Sequence, residues 1–138
     1  REANMTMPGY AVGLVEGVVG DLSGRRVVVL GASYRGRVKE TAFSGVFPTV
    51  EILKSKGVEV LVHDPMYSDE ELEGFGFTPY RLGESVDAAI LQADHPEYLD
   101  LTAADLPGVS VIIDGRGVLD PARWEGVTYR SIGNGTLR

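Results

Sequence analysis

At 138 residues, 43% hydrophobic and 24% charged, the chain has the size and composition of one globular domain, which excludes disordered and fibrous classes. It contains no Cys and only two imidazoles, His63 and His95, so disulfide frameworks, cysteine–zinc sites, thiol nucleophiles and a three-histidine metal site are all excluded. The net charge of −7 argues against a general nucleic-acid binder, and no apolar run approaches the ~18 residues of a membrane span.

The start, Arg1-Glu2-Ala3-Asn4, is charged and polar, unlike a signal peptide, and it lacks an initiator Met, which reads as a processed chain or a piece of a longer one. Residues 1–20 form a helical lead-in. Pro8 suits a first turn, and Tyr10, Leu14, Val15, Val18 and Val19 fall at helical spacing to give one apolar face. Asp21-Leu22-Ser23-Gly24 breaks it. The run Val27-Val28-Val29-Leu30-Gly31 then has the continuous β-branched character of a strand buried on both faces. A helix over 45–56 follows, stopped by Gly57, and Val58–Val62 is the second strand, closed by His63-Asp64-Pro65.

Ser68 caps a short acidic helix running to Gly74, and 77–80 is a candidate edge strand. Further strands are expected at 86–91, 109–114 and 127–132, with short helical stretches from His95 and near Asp120. Strands alternating with helical connections give an α/β fold, a doubly wound and mainly parallel sheet over 21–138 with the 1–20 helix appended.

In such sheets ligands lie beyond the carboxyl ends of the strands. The first of those connections, residues 31–44, is long for a βα loop, where ~2–6 residues are usual. Residues 22–39 hold no acid but five of the 13 basic residues: Arg25, Arg26, Arg35, Arg37 and Lys39. Arg25 and Arg26 precede the first strand and read as plain surface charges at the opposite edge. Arg35 and Arg116, the latter in Asp114-Gly115-Arg116, belong to loops on one edge. They are expected to converge on a diphosphate, the anion that forked guanidinium donors bind best. Scattered surface Arg remains the plainer reading.

The usual phosphate fingerprints are absent. Ser33 stands where a dinucleotide loop needs its second Gly, and Arg37-Val38 follows Gly36 where a Walker loop needs Lys-Ser/Thr. Asp64 lies 33 positions after Gly31, beyond the ~20 at which a ribose-binding acid is usual. His63 and Asp64, as strand neighbours, point to opposite faces, which favours structural roles. His95, preceded by Asp94, reads as a surface residue at a helix start. Tyr34 is either a base-stacking residue or a loop anchor. A phospho-receiver domain needs paired acids after the first strand, where this chain has Gly31-Ala32-Ser33.

The order VVVLGASYRGRVKETAFS, VEVLVHDP, VDAAILQADHPEY and VIIDGRGVLD resembles the C-terminal UDP-binding domain of the UDP-glucose/GDP-mannose dehydrogenase family, nearer the UDP-N-acetylmannosamine type. Asn4-Met5-Thr6-Met7-Pro8 resembles the end of the helix joining that family's two domains. The resemblance implies a Rossmann-like fold and a cytoplasmic, NAD-dependent enzyme. That enzyme oxidises a sugar C6 alcohol to a carboxylate through a Cys thiohemiacetal, works as a homodimer, and serves polysaccharide biosynthesis.

It further implies that Tyr34, Arg35 and Arg116 bind the UDP-sugar. Lys39 would face the NAD diphosphate, while NAD itself is held mainly by an N-terminal domain absent from this chain. Arg35 replaces the family's Lys, on a shorter loop. With no Cys the covalent step cannot occur on this chain. The rival expectation is a free-standing nucleotide- or coenzyme-A-binding regulatory module. The two differ in whether the lead-in helix packs on the domain as a finished element.

Overall fold

Five short runs become strands in a computed structural model that describes residues 2–33, 36–41 and 44–132. They are β1 (Arg26–Leu30), β2 (Glu59–His63), β3 (Ala88–Leu91), β4 (Val111–Asp114) and β5 (Thr128–Ser131). All pair in parallel, in the order β2-β1-β3-β4-β5. The chain therefore steps from β1 to one side, then crosses back to place β3 on the other. The crevice of such a sheet opens between β1 and β3. The expected edge strand at 77–80 is reduced to a single bridge between Val62 and Pro79. Its Gly76 and Pro79 leave too short a run to form a ladder.

Successive residues of the central strands serve two cores. Val27, Val29, Val60, Val62, Ala88, Ile90, Val111 and Ile113 face one layer. It is built from the helices α1 (Glu2–Val19), α2 (Val46–Ser55) and α3 (Asp69–Gly74). Val28, Leu30, Leu61, Ala89, Leu91 and Ile112 face the other layer. There, 3-10 turns at Pro96–Asp100, Ala103–Asp105 and Pro121–Trp124 bring in Tyr98, Leu106 and Trp124. Both faces of the sheet's centre are covered, which is why β1 and β3 read as near-continuous apolar runs. The α3 cap is a capping box, Ser68 with Glu71.

Two expectations about α1 need correction. Pro8 lies inside the helix rather than in its first turn, because Glu2, Ala3, Met5 and Met7 are good helix formers that extend it upstream. The buried stripe is Ala11, Val12 and Val15, with Leu14 and Val19 partly covered, whereas Tyr10 is 54% and Val18 37% exposed. The stripe is rotated because α1 must fit the groove beside α2 and β4, and small side chains allow that close approach.

Arg25 and Arg26 do lie at the amino edge, yet both are structural. Arg25 donates to the carbonyls of Val19 (2.8 Å) and Asp21 (3.1 Å), closing the end of α1. Arg26 pairs with Glu59 and Glu84. Among the described residues no helix is long and apolar enough to cross a membrane.

Candidate functional site

Three loops leave the carboxyl edge side by side, after β1, β3 and β4. Gly31, at φ +108, needs its lack of a side chain, because a Cβ there would lie 2.5 Å from that of Ala93. Gly36 is likewise pressed against the carbonyl of Asp94, and its N–H donates to Asp94 Oδ1 at 2.6 Å. The same oxygen lies 4.0 Å from Arg116 Nη2. One carboxylate thus ties the loop after β1 to the Arg of the loop after β4. Burial works to raise the Asp94 carboxyl, but the Gly36 N–H and the Arg116 charge outweigh it and hold it below the ordinary carboxylate value.

Arg116 is aimed by Asp114, which is fully buried. Its Oδ1 accepts the N–H groups of Arg116 (3.1 Å) and Gly117 (2.8 Å), and its Oδ2 accepts those of Leu119 (2.7 Å) and the Tyr129 hydroxyl (2.6 Å). The Asp of Asp114-Gly115-Arg116 is therefore the organiser of the turn. The Arg116 side chain itself stays 35% exposed.

Beside Arg116 opens a cleft of about 610 Å³, with Ser44, Thr49 and Gln92 among its polar lining and Pro8, Ala11 and Ile132 among its apolar lining. The Ser44 hydroxyl donates to the Ser33 carbonyl (3.3 Å) and accepts the Val46 N–H (3.1 Å), so the start of α2 is tied to the first residues of the β1 loop beside this cleft. A helix N-terminus and a guanidinium on one wall suit an anion.

Of the residues expected to bind a ligand, Tyr34 and Arg35 lie outside the described residues. Lys39 is on the far side of its loop, with its ammonium 2.8 Å from Glu71 Oε2 and 5.2 Å from the centre of the Tyr67 ring. Among the described residues, the loop after β1 and the loop after β4 approach each other through Asp94, between the Gly36 amide and Arg116.

His95 requires a correction. It is 1% exposed, not a surface group, and its Nε2 lies 2.9 Å from Asp64 Oδ2. That oxygen also accepts the N–H groups of Ala32 (2.7 Å) and Ser33 (3.1 Å), while Oδ1 accepts that of Met66 (2.8 Å). Burial pushes the Asp64 carboxyl up, but these donors, His95 foremost, overcome it and the net direction is down. The partner of Asp64 is thus His95, not the adjacent His63, whose ring meets the Tyr98 hydroxyl at 3.0 Å. Burial lowers the affinity of His63 for a proton.

These contacts also test the fit of a dinucleotide. An acid at the end of the second strand binds ribose only if its oxygens are open. Those of Asp64 are enclosed and already hold the β1 loop. NAD does not fit this domain in the ordinary Rossmann manner. Among the described residues no cluster of metal-ligating side chains occurs.

Sequence reasoning missed Asp64 and Asp94 as loop holders. The available signal was position: each closes or follows a buried strand, where its carboxylate faces the amides of a neighbouring loop.

The model of the UDP-glucose/GDP-mannose dehydrogenase family's UDP-binding domain matches residues 28–121. The UDP-N-acetyl-D-mannosamine dehydrogenase of Methanococcus vannielii is 26% identical over 98% of this chain and 34% of its own length. The UDP-glucose 6-dehydrogenase TuaD of Bacillus subtilis is 26% identical over 88% of this chain and 29% of its own. Among solved structures, the UDP-N-acetyl-mannosamine dehydrogenase Cap5O from S. aureus superposes with a TM-score of 0.76 at 27% identity, over 97% of this chain and 32% of that one. The chain spans about a third of the length of the curated relatives it matches.

Proposed function

The chain belongs to the UDP-glucose/GDP-mannose dehydrogenase family as its UDP-binding domain, and from this premise we propose that it holds the UDP moiety of a nucleotide sugar for a dehydrogenase of which it forms one part. The observation that carries the reading is the junction of Gly36, Asp94 and Arg116 over the carboxyl edge, beside a cleft large enough for a nucleotide. In this reading Arg35 and Arg116 fork the diphosphate and Tyr34 sets the loop. Lys39, at the outer side, turns to the diphosphate of an NAD held by the rest of the parent enzyme.

The parent reaction in this reading would take the sugar C6 alcohol to the carboxylate, with water supplying the second oxygen and an NAD held outside this chain serving as the oxidant. The covalent step belongs to a Cys outside this chain, which has none. UDP-glucose and UDP-N-acetylmannosamine are both candidates, as the relatives' names include each. The packing of Ala11, Val12 and Val15 on the domain favours an independent nucleotide-binding module. The one-third coverage of the relatives and the bare Tyr10 and Val18 favour the part-of-an-enzyme reading, with that bare face assigned to a second copy.

Calorimetry tests the proposal. UDP and UDP-sugars should bind the chain and uridine should not, because the diphosphate supplies most of the attraction. Equal affinities for UDP and uridine, or no heat with UDP at millimolar concentration, would refute it.

A further inference from the structure

The loop carrying Arg35 is gripped by two consecutive residues of the β3 loop. Asp94 accepts the Gly36 N–H, and His95 Nδ1 accepts the N–H of Arg37 at 3.1 Å. The His95 ring has no choice of tautomer in this arrangement. Its Nε2 faces Asp64 Oδ2, an ionised carboxylate that only accepts. The ring proton must therefore sit on Nε2, which leaves Nδ1 as a lone pair for the Arg37 amide. Arg37 is the one non-glycine at positive φ (+66°) among the described residues. That conformation is costly for an L side chain and persists where surrounding contacts enforce it. Its side chain is exposed, so the enforcing contact is on the backbone.

We propose that His95 is a positioning residue of the diphosphate site. Oriented by Asp64, it holds Arg37 in the left-handed conformation, and with it the Gly36 amide that meets Asp94 beside Arg116. The relay runs from the end of β2, through the β3 loop, to the loop after β1, so three neighbouring connections are locked by one buried pair. The inference rests on the diphosphate reading given above. What it adds is that a residue touching no ligand sets the affinity.

Two substitutions separate the two nitrogens. His95→Gln keeps a donor near the Nε2 position and loses the acceptor at Nδ1. His95→Asn keeps an acceptor near Nδ1 and loses the donor to Asp64. By calorimetry, UDP affinity should fall about tenfold in His95→Gln and stay within about threefold of wild type in His95→Asn. In an Arg37→Gly background, where glycine takes positive φ unaided, adding His95→Gln should change the affinity less than about twofold. A purely structural His95 would lower the melting temperature of both variants and leave UDP affinity alone.

Amide hydrogen exchange provides a readout that needs no ligand. His95→Gln should speed exchange at Gly36 and Arg37 by more than about tenfold, relative to Val28 in β1. The proposal is overturned if Arg37 exchange is unchanged, or if the loss of affinity is the same in the Arg37→Gly background. If wild type takes up no UDP, the diphosphate reading fails, and the exchange rates alone still decide whether His95 holds the loop.

Discussion

Asp94 Oδ1 lies 2.6 Å from the amide nitrogen of Gly36 and 4.0 Å from Arg116 Nη2, so a carboxylate occupies the point where two crossover loops meet. A carboxylate between a backbone amide and a guanidinium has the partners a phosphate oxygen would take. The geometry therefore brings a backbone amide and a guanidinium from separate parts of the chain to one carboxylate.

Arg116→Ala should weaken UDP binding by roughly 10- to 150-fold, equivalent to about 1.5–3 kcal/mol for a charge-assisted bond. Arg35→Ala should do the same. Arg116→Lys should recover only part of the loss, since an ammonium cannot fork across two oxygens. Calorimetric titration of the three variants measures this, and wild-type affinity in Arg116→Ala would remove Arg116 from the site.

The aim of Arg116 depends on Asp114. Asp114→Ala leaves three backbone N–H groups without their acceptor and the Tyr129 hydroxyl with only the longer bond to the Leu119 carbonyl, and should cost roughly 3–5 kcal/mol in urea unfolding. Tyr129→Phe removes one of those donors and should cost about 1–2 kcal/mol. The phenol's own pKa, pushed up to about 12 by burial and by Asp114, should drop toward its ordinary value in Asp114→Ala, as read by ultraviolet titration.

Acid should destabilise the domain in two windows. Burial depresses the proton affinity of His63 below its ordinary 6.5. The unfolded chain therefore binds a proton there before the folded one, and stability present above 6.5 is lost as pH falls through the folded value. Asp64 is also depressed, its donors outweighing its burial, and its contribution, present above the ordinary 3.8, is lost only below that. Urea midpoints should therefore fall between pH 7.5 and 5, with a shallower slope in His63→Gln. An unchanged slope would show that His63 is not held neutral.

Helix α1 should unfold with the sheet. Val12→Ala and Val15→Ala, both at fully buried positions, should each cost about 2 kcal/mol of global stability. Tyr10→Ser, on the exposed side, should stay within ~0.5 kcal/mol. Chemical denaturation followed by circular dichroism distinguishes this from a helix that frays alone, for which the valine changes would leave the main transition in place.

Much of this molecule is written locally. Strands buried on both faces must be apolar at every position, so Val27–Leu30 and Val111–Ile113 announce themselves. Gly31 is forced by a turn that has no room for a methyl group. Ser68 and Glu71 cap α3 within four residues of each other. The family resemblance follows from the order of such local features.

The site was legible only in outline. Arg116 beside a turn, and a basic loop after β1, were visible. That Asp64 takes His95 as its partner, that Asp94 joins Gly36 to Arg116, and that α1 buries Ala11 and Val12 while exposing Tyr10 were not. The first two contacts span 31 and 58 positions. They exist because β2 and β3 flank β1 on either side, which brings the loops after these three strands within hydrogen-bond reach. No short stretch of chain encodes that choice of neighbour: it is settled by how the whole set of apolar strand faces can be buried at once, and the polar partnerships at the rim follow from it.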